Sequence, residues 1–431
     1  MSLLRTKILQ KSVIPTDLDS VINIDHEKEV DPATVGMTQD DINAIWARVI
    51  QIYKTGTHPA MTISLRRQGE LVMSRSIGHV HGNGPRDSTD AKKVIATSDT
   101  PFCVFSTSKG ITALLIHMLD EDGLINIMDP VSFYTPEFAQ NGKENITIHQ
   151  ILSHRGGIPG LPADSNAETL WDEDAVWKLL CEAKPIMTDG SKLAYHAITG
   201  GFVLDRIVRQ VTGGTINDYI DKKIRKPMAM KYFSYGIEPK YSDDLATNYY
   251  TGPRAVFPIT AFIKRALGAN LDQIETASND PRFQEAIIPA GNLAATANEI
   301  SAFFQMMLNG GVWNGKRICS EETIARATQE YGSRTLDYTL LLPMRYSAGL
   351  MLGDEPFGMM GPHSKHAFGH LGLINKFSWA DPAREMSVSL LNSGIPVVGP
   401  HVIALANFLN TIGNRVSITN EPATFSIPDS K

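Results

Sequence analysis

Ser106 and Lys109 are the two residues of this sequence whose types and spacing most directly suggest chemistry. They stand three positions apart in Ser106-Thr107-Ser108-Lys109, ahead of an apolar run with helical spacing. Side chains at i and i+3 share one face of a helix, so the hydroxyl and the amine would point the same way. A serine becomes a good nucleophile when a base takes its proton, and a desolvated lysine can be that base. The pair therefore predicts covalent catalysis through an acylated serine.

Such a site also needs a proton relay and donors for an oxyanion. If Ser106 opens a helix, its own backbone N–H is one free donor. Tyr195, in a turn that feeds a helix, is a candidate acid or base. His370-Leu371-Gly372 opens a strand, where the N–H of Leu373 could be a second donor and Gly372 leaves room for a substrate. The alternatives are a tyrosine that only packs, and a glycine bulge beside a surface histidine.

The elements that must position these residues follow from local patterns. Thr38 to Asp41 and Thr296 to Glu299 are capping-box patterns, and each predicts a helix behind it. Residues 61–80 read as a β-hairpin and residues 79–96 as a surface loop. Further helices are predicted over the segments 147–153, 170–183, 201–211 and 402–412, and strands over 346–353, 367–381 and 385–394.

This order of elements predicts an α+β fold (an α/β sandwich). Strands from both chain ends would form one antiparallel β-sheet flanked by helices, with an inserted, mostly helical lobe. The predicted organisation is an N-terminal arm (1–36), an α/β domain (37–100 and 316–415), a helical domain carrying the nucleophile (101–315) and a C-terminal tail (416–431).

Composition limits the class of protein. The chain has 431 residues, an ordinary apolar share and a formal net charge of -6. A net negative charge does not favour binding to nucleic acid or to an anionic membrane. Three widely spaced cysteines argue against a disulfide framework. No apolar run reaches membrane-spanning length, and the first residues lack a signal-peptide core. We therefore expect a cytoplasmic protein; the sequence does not predict its oligomeric state.

Three motifs together resemble a known family. Ser106-x-x-Lys109, Tyr195-His196-Ala197 and His370-Leu371-Gly372, in that order, are similar to those of the penicillin-recognising serine hydrolases, which include class C β-lactamases, DD-peptidases and carboxylesterases of the same fold. Residues 102–138 look like that family's nucleophile helix and following loop. Residues 147–160 and 288–311 are also similar, and the resemblance covers roughly residues 38–412.

The resemblance implies a role for each matching residue and a β-lactamase/transpeptidase-like fold. Ser106 would be the acylated nucleophile and Lys109 its activating base, while Tyr195 relays the proton and activates the deacylating water or alcohol. The N–H groups of Ser106 and Leu373 would form the oxyanion hole, beside His370 and Gly372 on the third motif's strand. No metal and no organic cofactor are implied.

Two departures from the family pattern bear on the substrate. The second motif usually ends in Asn and here ends in Ala197; the third usually begins with Lys and here begins with His370. A neutral imidazole lacks the fixed positive charge that would meet a substrate carboxylate. We therefore predict a carboxylesterase, with possible acyl transfer, acting on a small-molecule ester. A β-lactamase or DD-peptidase, and a non-catalytic penicillin-binding-type sensor, stay as alternatives.

Other signals do not favour a different chemistry. His363, His366 and His370 form a cluster, but their segment is rich in Gly and Pro and is not helical, so a zinc site is not favoured. The sequence has no H-E-x-x-H and no Walker-type loop, and the absence of G-x-S-x-G disfavours an α/β-hydrolase. The irregular segment 230–285 is hypothesised to line an acyl pocket, with Tyr249 and Tyr250 as the residues to test.

Overall fold

The computed structural model describes residues 10–162, 165, 167–373 and 375–419. In chain order the strands are β1 (Ile22–Ile24), β2 (Ala60–Arg67), β3 (Glu70–His81), β4 (Val94–Ile95), β5 (Phe102–Cys103), β6 (Ser234–Tyr235), β7 (Leu293–Ala295), β8 (Val312–Trp313), β9 (Lys316–Arg317), β10 (Thr335–Leu336), β11 (Pro343–Met344), β12 (Met351–Leu352), β13 (Phe357–Gly358), β14 (Gly361–Pro362), β15 (Phe368–Gly372), β16 (Lys376–Asp381) and β17 (Met386–Asn392).

The α-helices are α1 (Gln39–Lys54), α2 (Ser108–Glu121), α3 (Val131–Tyr134), α4 (Ile148–Leu152), α5 (Glu173–Glu182), α6 (Thr199–Thr212), α7 (Ile216–Ile220), α8 (Ile259–Leu267), α9 (Leu271–Ser278), α10 (Pro281–Glu285), α11 (Ala297–Leu308), α12 (Glu321–Thr328) and α13 (His401–Arg415).

The main sheet joins the two ends of the chain. Its order is β1-β3-β2-β17-β16-β15-β12, with β4 paired to β3, and the pairs are antiparallel. β17 lies beside β2 in a register that runs from Met386 opposite Arg67 to Asn392 opposite Met61. The predicted α+β fold, with one antiparallel sheet built from both chain ends, is confirmed.

Alternation along the central strands places a different kind of side chain on each face of the sheet. Ile63, Leu65 and Val388 lie in one apolar core with α1 and α13. The serines between them face α11, where Ser64 Oγ lies 2.7 Å from Ser301 Oγ and Ser387 Oγ donates to the Ser301 carbonyl. Small side chains let α11 approach the sheet closely. The alternation of side chains along the strands therefore determines which helices pack on each face.

Most of the predicted elements are present. Both capping boxes form, with Thr38 and Thr296 accepting from the backbone three residues on. The segment 79–96 differs from the prediction: β3 continues to His81, and β4 pairs with it. β4 gives hydrogen-bond partners to the backbone at the end of β3, which would otherwise be unpaired. The composition of the segment does not reveal this pairing.

The outer parts of the predicted organisation are described only partly. In the arm, β1 pairs with β3 along the sheet edge; residues 1–9 and 420–431 lie outside the described residues. The division into arm, two domains and tail stays a prediction. Within the described residues no helix is both long and apolar enough to cross a membrane.

Candidate active site

The nucleophile turn lies between β5 and α2. Ser106 sits in a 3-10 turn, Phe105–Thr107, and α2 begins at Ser108, so Ser106 lies in the turn directly before the α-helix. Phe105 has a left-handed backbone with φ 46°, a strained conformation for a non-glycine residue. Ser108 fixes the turn: its Oγ donates to the Phe105 carbonyl at 2.5 Å and accepts from Leu293 N–H at 3.1 Å.

Lys109 lies directly behind Ser106. Its Nζ is 3.0 Å from Ser106 Oγ and donates to the Ala290 carbonyl at 2.8 Å. The side chain is 8% exposed, and burial lowers its pKa to about 7, since a desolvated ammonium is less stable than a neutral amine. Ser106 itself is only half-buried. A reachable hydroxyl therefore meets an amine that is easily deprotonated near neutral pH.

Tyr195 completes the group around the nucleophile. Its hydroxyl is hydrogen-bonded to the Ser106 side chain, and Lys109 Nζ lies 4.9 Å from the centre of its ring. Burial raises the pKa of Tyr195 well above its usual value. The phenol is therefore neutral and can pass a proton between the serine and a leaving or entering oxygen.

The end of β15 is brought against the nucleophile turn. A Cβ on Gly372 would lie 2.1 Å from the Val104 carbonyl oxygen, so only glycine permits this approach. Thr107 Oγ1 lies 3.5 Å from the His370 carbonyl. Leu373 follows with a left-handed φ of 35°. The end of β15 thus packs directly against the turn that carries Ser106.

His370 is wholly buried, which differs from the alternative of a surface histidine. Its Nδ1 lies 2.8 Å from the Leu371 carbonyl, so Nδ1 carries the proton. Burial and the nearby Lys109 lower the pKa of His370 to about 3. The residue that replaces the family's usual lysine is therefore a neutral imidazole, and it adds no positive charge to the site.

Two further histidines and one aspartate border the site, and the sequence analysis assigns none of them a role. His154 and His196 are buried, and the pKa of each is lowered by burial and by Lys109. Asp337 Oδ1 accepts from the backbone N–H of Tyr195 at 3.1 Å. Three neutral imidazoles thus surround Lys109, and the carboxylate of Asp337, which is remote in sequence, binds the backbone N–H of Tyr195.

The other predicted residues fall outside this group. Tyr249 and Tyr250 are buried. The Tyr249 hydroxyl donates to Asp87 and the Tyr250 hydroxyl accepts from the Ala255 N–H, so both make structural hydrogen bonds. Within the described residues, no group of three or more His, Cys, Asp or Glu side chains could hold a metal ion. The structure places Ser106, Lys109, Tyr195, His370 and Gly372 near one another; the catalytic and binding roles assigned to them stay predictions.

Known proteins similar to this chain share its architecture. The family model described as Beta-lactamase matches residues 46–400. The "Esterase/beta-lactamase LipL" of Mycobacterium tuberculosis is 28% identical over 308 residues, which are 69% of this chain and 70% of that protein.

Two solved structures are close in shape and 25% identical in sequence. A penicillin-binding protein homologue from Caulobacter crescentus has a TM-score of 0.74 and covers 88% of this chain and 99% of its own. A family VIII carboxylesterase has a TM-score of 0.73 and covers 87% of this chain and 98% of its own.

Proposed function

The chain belongs to the beta-lactamase family, and from that premise we propose that it is a serine hydrolase that cleaves carboxylic esters through an acyl-enzyme on Ser106. The observation that carries the proposal is the 3.0 Å contact between Lys109 Nζ and Ser106 Oγ, made by a buried amine. A lysine with a pKa of about 7 is neutral in a large fraction of molecules at physiological pH, and only the neutral amine can accept the serine proton.

The proposed reaction has two halves. Ser106 Oγ attacks the ester carbonyl carbon while its proton passes to Lys109, and the N–H groups of Ser106 and Leu373 hold the oxyanion. Collapse breaks the ester C–O bond, and the alcohol leaves with a proton delivered through the Tyr195 hydroxyl. A water, or a second alcohol, then loses a proton along the same path and attacks the acyl carbon. The bond between that carbon and Ser106 Oγ breaks, and the proton passes to Oγ to restore the serine hydroxyl.

Two residues favour an ester over a β-lactam. Ala197 has no amide to hold a substrate amide, and neutral His370 offers no charge to a substrate carboxylate. The name of the similar Mycobacterium tuberculosis protein contains both activities, so β-lactam hydrolysis is the rival. Turnover of a chromogenic cephalosporin at rates equal to those of a simple ester would favour that rival.

The test is hydrolysis of p-nitrophenyl butyrate with the early burst followed. We expect Ser106→Ala to lose turnover and burst together, because the acylated oxygen is gone. Ser132→Ala is the matched control: Ser132 lies on α3, and its hydroxyl only donates to the Glu144 carbonyl. Activity that survives in Ser106→Ala would show that another residue is the nucleophile. A stable adduct without turnover would support the sensor alternative.

We also propose a cytoplasmic location. Cys103, Cys181 and Cys319 are buried and unpaired, which suits a reducing compartment. Cell fractionation that placed the protein outside the cytoplasm would contradict this.

A further inference from the structure

A small cavity adjoins Lys109. It has a volume of about 20 Å³ and is lined on its polar side by Lys109, His154 and His196, and on its apolar side by residues that include Leu204 and Pro289. That volume is enough for one water molecule, and a buried site holds a water only where it has polar partners. The residues that line it do not include Ser106 or Tyr195.

Protonated Lys109 has one N–H more than it has acceptors among the described residues. An ammonium group has three N–H bonds. Two of them have acceptors, Ser106 Oγ and the Ala290 carbonyl. In the interior, an N–H of a charged group that lacks an acceptor is strongly unfavourable. The third N–H is needed when Lys109 becomes protonated, which is the state that serine attack produces.

His154 presents a second donor at the same cavity. Its Nδ1 accepts from the His196 backbone N–H at 3.2 Å, so the ring proton is on Nε2. His154 is only 5% exposed. Its Nε2 atom is buried and, within the described part of the chain, has no hydrogen-bond partner. The two lone pairs of one water match the two N–H groups, one from Lys109 and one from His154.

We propose that the cavity is a structural water site whose water accepts hydrogen bonds from the third N–H of protonated Lys109 and from His154 Nε2–H. This rests on the proposed function, in which Lys109 receives the Ser106 proton. The water makes the protonated lysine less costly in the interior and so assists the acylation step. His154 acts through that water and is a positioning residue.

The proposal predicts the direction in which the acidic limb of the pH profile moves. The base must be neutral, so kcat/KM rises with pH through the pKa of Lys109. The ionisable groups that face Lys109 are His154, His196 and His370, with Tyr195 at its ring face. Within the described residues no carboxylate pairs with Lys109. Loss of the water removes an acceptor for the ammonium, lowers the pKa of Lys109 and moves the limb to lower pH.

Gly200 offers a variant that fills the cavity without a clash. It lines the cavity and lies in α6. A Cβ there would meet its nearest neighbours, in His196 and Ile151, at 3.5 and 3.6 Å, which is ordinary contact. Alanine also favours a helix over glycine. Gly201 is unsuitable, because a Cβ there would lie 2.5 Å from Ala290 N and would displace the Lys109 acceptor.

His154→Asn removes the second donor in a different way. His154 has a left-handed φ of 59°, a conformation that asparagine tolerates well. The Asn amide oxygen can take the place of Nδ1 as acceptor for the His196 N–H, but nothing replaces Nε2–H. The variant should therefore fold and bind the water less well.

The experiment combines the pH dependence of kcat/KM with crystal structures of wild type and Gly200→Ala. We expect the acidic limb to move down by about one pH unit in Gly200→Ala, the effect of one lost hydrogen bond to a charged group, with an equal or higher melting temperature, and by a smaller amount in His154→Asn. Gly160→Ala, an exposed position whose Cβ would meet nothing within 4 Å, is the control and should keep the wild-type limb.

Density for one water within hydrogen-bond distance of Nζ and Nε2 in wild type, and its loss in Gly200→Ala, is the expected structural result. A dry cavity in wild type, or an unchanged limb in Gly200→Ala, would overturn the proposal. The density does not depend on turnover. If the ester assay shows that Ser106 is not the nucleophile, the crystallographic test of the water site is unaffected. Failure of the proposed function can therefore be distinguished from failure of the water proposal.

Discussion

Lys376 shows, at the scale of one residue, what a buried charge without a partner costs. It lies on β16 and is 1% exposed, with Nζ 4.8 Å from the centre of the Phe105 ring. Burial lowers the pKa of Lys376 to about 8. Among the described residues no carboxylate pairs with it. Lys109 is desolvated in the same way, but there the lowered pKa serves the proposed chemistry.

We predict that Lys376→Met raises the free energy of unfolding by about 2 kcal/mol at pH 7. The folded pKa, about 8, lies below the value of about 10.4 in an unfolded chain, so protonation favours unfolding. The wild-type penalty is full below pH 8 and fades as the pH rises towards 10.4. The advantage of the variant should shrink over that window. Urea unfolding at pH 7 and pH 10 measures it; equal differences at both would contradict the assignment.

Asp337 shows how one side chain sets the geometry of a whole turn. It is fully buried, and its Oδ1 accepts from the backbone N–H groups of Tyr195, Thr339 and Leu340 at 3.1, 2.8 and 3.0 Å. The turn after β10 is therefore joined to the turn that carries Tyr195. Neither turn belongs to the main sheet, and the carboxylate joins them together with the backbone bond from Tyr338 N–H to the Leu193 carbonyl.

Asp337→Ala should lower kcat/KM for an ester by about tenfold or more and the free energy of unfolding by about 3 kcal/mol, because three buried N–H groups lose their acceptor. Asp337→Asn keeps an oxygen there and should retain most of both. Melting temperature and steady-state kinetics of the two variants give the comparison. If Asn and Ala lost activity equally, the negative charge, and not the acceptor, would be the important property.

The sequence predicts the elements well and the contacts between them poorly. Capping boxes, alternation and the i, i+3 spacing of Ser106 and Lys109 are local patterns, so they can be read directly. The Tyr195–Asp337 bond joins positions 142 apart, and the Lys109 contact with Ala290 joins positions 181 apart. No local periodicity encodes such pairs. The 3-10 turn at Ser106 has no local pattern either, because it depends on the left-handed backbone of Phe105 and on the bonds that Ser108 makes to Phe105 and Leu293.

Arg384 ties distant parts of the whole molecule together. It is 2% exposed and pairs with Asp381 at 2.7 Å. The same guanidinium donates to the carbonyls of Pro362 and His363, and to those of Gly413 and Val416 at the end of α13. One side chain thus joins the turn between β16 and β17 to β14 and to the last helix.

We expect Arg384→Met to lower the free energy of unfolding by about 3–5 kcal/mol, the usual result when one partner of a buried ion pair is removed. Arg282→Met is the matched control. Arg282 pairs with Glu168 and Asp280 on the surface, where ion pairs contribute little. Chemical denaturation of both variants tests this. Equal effects of the two substitutions would show that burial of the Arg384 pair does not matter.

The position of β17 between β2 and β16 also governs the order in which the molecule can be made. Arg67 and Met386 are neighbours although they stand about 320 positions apart in the sequence. A ribosome releases the chain from its N-terminus, so the β2–β3 hairpin emerges before β17 and has one open edge while the intervening residues are made. The sheet can close only after β17 has left the exit tunnel. Until then the edge of β2 stays unpaired, and holdase chaperones have their main opportunity to bind the protein at that open edge.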